Sequence, residues 1–90
     1  MSYDVDLRPR FIDPWRELPP DVAEYVLDQV ELLAAHPVEL SQSSEFPELH
    51  YQVFRFQGPV ASPYLGFEVR FQYSQDEQSL HVLDLVWMRT

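Results

Sequence analysis

The sequence predicts an α+β fold of two layers, with helices covering one face of a small antiparallel sheet. Three observations carry this expectation. Near the N-terminus the chain alternates with a period of two. Between residues 20 and 35 apolar side chains recur at helical spacing. After residue 50, three further strand-like runs follow one another with no helix between them. Ninety residues, 46% of them hydrophobic, with 2 Trp, 5 Tyr and 6 Phe, suffice for one modest core and predict a single domain over residues 1–90.

The elements follow in order. Tyr3, Val5 and Leu7 alternate with Asp4, Asp6 and Arg8, which predicts a short strand with one wet face, closed by Pro9. A turn of helix follows through Phe11, Ile12 and Trp15, with Pro14 expected only in its first turn. Pro20 suits a first helical position and Asp21 complements the positive end of the helix dipole. Val22, Val26, Val30 and Leu33 then form one stripe, widened by Ala23, Leu27 and Ala34, with Glu24, Asp28 and Glu31 opposite. Pro37 stops this helix, so its expected span is 20–35, with His36 in the last turn.

Residues 38–50 read as a surface connection, with a short strand or turn near Phe46. Three strands close the chain, at 51–57, 65–73 and 80–88. In the second, Leu65, Phe67, Val69, Phe71 and Tyr73 face one way and Gly66, Glu68, Arg70 and Gln72 the other. The third is apolar on both faces apart from His81 and Asp84, which predicts a central strand covered on both sides.

Charge and composition exclude several classes of function. Fifteen acidic residues against six basic ones give −9, and all six bases are Arg. Such a field repels phosphate, so RNA or ribosome binding driven by net charge is disfavoured. Without Cys there is no disulfide, thiolate chemistry or Cys-ligated metal. No stretch has the apolar length of a membrane span, and MSYDVD lacks the features of a signal peptide, which predicts a cytoplasmic protein.

The phrases Leu7-Arg8-Pro9-Arg10-Phe11, Trp15-Arg16-Glu17-Leu18-Pro19 and Leu32-Leu33-Ala34-Ala35-His36-Pro37 follow one another. With a strand begun by Tyr51, another around Phe67-Glu68-Val69-Arg70-Phe71 and a last one closing on Arg89, they resemble the RelE/ParE toxin superfamily. The resemblance implies a bacterial type II toxin–antitoxin module. Its toxin cleaves messenger RNA on the ribosome or poisons gyrase, and an antitoxin wraps it. Ribonuclease members are typically basic and Lys-rich, whereas this chain has no Lys. Glu68 stands where the resemblance implies an arginine, with Arg70 two residues on. Gln52 replaces another arginine, the loop 58–64 is long for the hairpin found there, and Arg89 matches a frequent basic position.

Metal-free RNA cleavage needs a base for the ribose 2′-OH, an acid for the leaving oxygen and cations for the developing charge. Glu68, Arg70, His81 and Arg89 supply those types and are the candidate catalytic residues. The alternative for Glu68 and Arg70 is a solvated ladder paired with neighbours such as Arg55. His36, His50 and His81 lack the close spacing of zinc ligands, and two glycines cannot build a phosphate loop, so neither metal nor cofactor is expected.

The expected function is a toxin-like component with weak or no ribonuclease activity that binds an antitoxin-like chain. An active ribosome-dependent endoribonuclease, a gyrase-directed toxin and a protein-interaction module on the same fold stay open beside it, as does a homodimer.

Overall fold

The computed structural model describes residues 2–43 and 50–89, and the expected strand or turn near Phe46 lies outside them. The elements are β1 (Asp4–Leu7), α1 (Pro9–Arg16), α2 (Pro20–Ala35), α3 (Pro37–Leu40), β2 (Gln42–Ser43), β3 (Gln52–Gln57), β4 (Tyr64–Ser74) and β5 (Ser79–Arg89). They form the α+β arrangement that the sequence predicts.

The long helix α2 has the expected bounds because both ends are chemically marked. Pro20 opens it, and the His36 N–H closes it on the carbonyls of Leu32 and Leu33. Pro37 does stop α2, but it also opens the short helix α3, followed by β2, where the sequence reads only as a connection. Pro14 lies inside α1, past its first turn. The N–H it lacks would have served the carbonyl of Arg10, an exposed residue where water can do so. The Trp15 indole N–H donates to the Ala23 carbonyl at 2.9 Å and ties α1 to α2.

The sheet order is β1-β5-β4-β3-β2. Strands β3, β4 and β5 form the expected antiparallel meander. The N-terminal strand β1, whose direction the sequence does not fix, joins the same sheet and pairs in parallel with β5, Asp6 lying beside His81. A connection through the helical layer allows that direction, and the chain's first and last strands become neighbours.

One face of the sheet carries the core. Val22, Val26, Val30 and Leu33 of α2 meet Phe67, Val69 and Phe71 of β4 and Leu80, Val82 and Leu85 of β5, all buried, with Phe11 of α1 among them. Among the described residues no charged side chain is buried. No described helix is long and apolar enough to cross a membrane.

Two bulges correct the expected strand faces. Arg70 pairs with Asp84 and Phe71 with Val82, so Leu83 is an extra residue and the parity of β5 reverses there. Leu80 and Val82 point to the core before the bulge, Leu85 and Trp87 after it. That reversal, rather than cover on both sides, is why both faces look apolar in sequence. The second bulge lies between the pairs Tyr64–Arg89 and Gly66–Met88. Its extra residue is Leu65, which is 53% exposed and not on the core face. Tyr64 takes the buried place instead, stacked with Phe67.

Candidate functional site

The face of the sheet away from the helices gathers most of the candidate residues. Strand parity puts Glu68, Arg70 and Gln72 of β4 there, with Arg55 of β3 opposite Glu68 and His81 of β5 opposite Gln72. Glu68 is the centre of the first cluster. Its Oε1 accepts from Arg55 Nε at 2.9 Å and its Oε2 from Arg70 Nε at 2.8 Å. The Glu68 side chain is only 19% exposed. Burial alone would push its carboxyl up, but hydrogen bonds from Arg70 and Arg55, with their charges, outweigh that and hold it below its usual range. The same bond, donated to Glu68, raises Arg70, whose guanidinium also lies 5.7 Å from the centre of the Tyr51 ring.

The second cluster joins β1 to β5. Asp6 Oδ2 accepts from Arg8 Nε at 2.8 Å and lies 3.1 Å from His81 Nδ1. The hydrogen bond from His81 is the largest influence on Asp6. With the Arg8 charge it outweighs lost hydration and lowers the carboxyl. The wet face of Asp4, Asp6 and Arg8 was visible in sequence, but its meeting with His81 depends on the parallel register of β1.

The structure therefore brings Glu68 and Arg70 together and places His81 on the same face, engaged with Asp6. Arg89 is on the other side. Its guanidinium lies 5.3 Å from the centre of the Tyr64 ring, on the core side of the sheet. The parity reversal in β5 separates it from Glu68 and Arg70. The open face thus displays a ladder of satisfied ion pairs, with Arg55 in the role the sequence allowed for. His36 caps α2 and His50 precedes β3 in the left-handed region, with φ 56°. No group of three acidic or His side chains among the described residues is placed to hold a metal ion.

Sequence reasoning missed an apolar part of this face. A groove of about 460 Å³ lies over the far end of β3, β4 and β5, where Leu65, Gly66, Val86 and Met88 share the lining with Gln57 and the ion-paired Arg55 and Glu68. The signal lay in the two bulges, which alternation alone does not reveal.

The ion pairs give a pH dependence of definite sign. The folded Glu68 pKa is depressed, so its stabilisation is complete above the unfolded value of about 4.3 and disappears as pH falls through the folded value. For this half-exposed network it amounts to about 1 kcal/mol or less. Urea midpoints of the wild type and Glu68→Gln are expected to differ at neutral pH and to converge in acid. A constant difference down to the acid limit would contradict the assignment.

No family profile matches the sequence, and no curated protein is similar to it at the sequence level. Solved structures are similar in fold. A chain of the toxin–antitoxin complex RelBE2 from Mycobacterium tuberculosis superposes with a TM-score of 0.76 at 11% identity, over 98% of this chain and 100% of that one. The isolated E. coli RelE toxin gives 0.65 at 18% identity, over 99% and 87%. The archaeal RelE–RelB complex from Pyrococcus horikoshii OT3 gives 0.57 at 15% identity, over 94% and 93%. The chain has the RelE fold.

Proposed function

We propose that this protein is a toxin-like component of a type II toxin–antitoxin system, with weak or no ribonuclease activity, that engages an antitoxin-like partner. The fold likeness to RelE chains, taken over nearly the whole length, supports the toxin-like part. The observation that carries the inactivity is Glu68, whose carboxylate spans Arg55 and Arg70 on the open face. A phosphate arriving there meets an internal anion already in place, on a chain of net charge −9. Any residual cleavage would draw on Arg70 and Glu68 with His81, while Arg89 would have to act from beyond the sheet.

The test is messenger RNA cleavage in a cell-free translation reaction, together with RNA binding by anisotropy. The expected result is no cleavage and generic RNA affinity weaker than about 1 μM at physiological salt. Cleavage abolished by Arg70→Ala, or submicromolar binding, would restore the active endoribonuclease. A stable complex with a small antitoxin-like protein encoded beside this chain supports the partner, and failure of the two co-expressed proteins to co-purify contradicts it.

A further inference from the structure

We propose that His81 is the proton acceptor of the open face and that Asp6, across the boundary between β1 and β5, is its positioning residue. This rests on the reading above of Arg70, Glu68 and His81 as the groups behind any residual cleavage, and it names which of them takes the proton of a ribose hydroxyl.

Two of the candidate residues are bases by type, and their bonding separates them. Both oxygens of Glu68 are engaged, Oε1 by Arg55 and Oε2 by Arg70. Those bonds hold its carboxyl below the usual range, and a carboxylate so stabilised is a poor proton acceptor. His81 is engaged differently. Its Nδ1 lies 3.1 Å from Asp6 Oδ2. An ionised carboxylate only accepts, so that bond requires a proton on Nδ1. The lone pair of the neutral ring then sits on Nε2, the nitrogen farther from the backbone. Among the described residues nothing bonds Nε2.

Asp6 is itself held in place. The Asp4 N–H donates to the Gln78 carbonyl at 2.8 Å and the Arg8 N–H to the Val82 carbonyl at 3.0 Å, pinning β1 on either side of it. Arg8 Nε donates to the same Oδ2 at 2.8 Å. Arg8 also brings Nη2 to 3.4 Å from His81 Nδ1. A guanidinium only donates, so it can bond Nδ1 only when that nitrogen has no proton, and the shorter contact to Asp6 favours the proton. His81 belongs to β5, which is paired on both sides, and it stands opposite Gln72 on the face that carries Arg70. A base, the carboxylate that orients it and a cation for developing charge thus share one rigid surface.

The ring tautomer is read on the protein alone, by nitrogen–proton correlation of the histidine side chains at about pH 8.5, above the ordinary imidazole range. The exposed His36 and His50 serve as references. His81 is expected in the Nδ1–H form. In Asp6→Ala, Arg8 is the donor left facing Nδ1, so the proton is expected on Nε2. Acylation of His81 by diethyl pyrocarbonate is then expected to slow about tenfold.

An Nε2–H tautomer in the wild type overturns the proposal without any variant. So does a tautomer or an acylation rate that Asp6→Ala leaves unchanged, or RNA cleavage that His81→Asn retains in full. The Nδ1–H form without RNA cleavage supports the acceptor and places the inactivity in phosphate binding, so failure of either reading is seen apart from the other.

Discussion

Phe71→Ala is expected to cost about 3–5 kcal/mol, measured as the change in urea unfolding free energy. Phe71 is fully buried, at the centre of β4, in the cluster that also holds Val26, Leu33, Val69 and Val82. Removing its ring forfeits the transfer energy of the side chain and leaves a cavity that close-packed neighbours fill only in part. A domain of this length has about 5–15 kcal/mol in total, so the variant stands near the edge of folding. Leu65→Ala on the same strand is the internal control. An exposed leucine on a bulge is expected to cost about 0.5 kcal/mol or less. Equal losses at the two positions would mean that the bulge is misplaced.

Gly58→Ala is the second large effect, expected at about 1–3 kcal/mol by overpacking. The cause is close approach and not backbone conformation, since neither glycine has a positive φ. The Gly58 N–H donates to the Leu65 carbonyl at 3.1 Å, drawing the two strands together where the loop leaves β3 and enters β4. A Cβ at Gly58 would stand 1.9 Å from the Tyr64 carbonyl oxygen, and that oxygen belongs to backbone which cannot rotate away. The hairpin must open, and the ring stack of Tyr64 on Phe67 moves with it. Gly66→Ala, which meets no such obstacle and has no positive φ, is expected to be neutral or to stabilise by up to about 1 kcal/mol. Thermal midpoints of the two alanine variants that coincide would show that the hairpin accommodates the methyl group.

The parts of the fold marked by local chemistry were legible in the sequence. The bounds of α2 follow from Pro20, the apolar stripe and Pro37, and the shared face of Glu68 and Arg70 follows from strand parity alone. What escaped was everything that depends on an inserted residue or a distant pairing. Leu65 and Leu83 each add one residue to a strand, and a period of two cannot register an odd insertion. Together they hid the groove, and the one at Leu83 also hid the separation of Arg89 from Arg70. The Asp6–His81 contact joins residues 75 positions apart, and no local pattern encodes it.

That long pairing has a consequence for how the protein is made. The strand β1 emerges from the ribosome well before β5, its paired neighbour among the described residues, and Asp4 finds Ser79 only once β5 has followed. The meander and α2 can begin to collapse from contacts closer in sequence, whereas β1 must wait for β5 with Val5 and Leu7 unpaired. Asp4, Asp6 and Arg8, interleaved with those apolar residues, keep the waiting segment hydrated and poorly suited to pairing with another nascent copy. The charges that later clasp His81 thus first protect an unfinished chain.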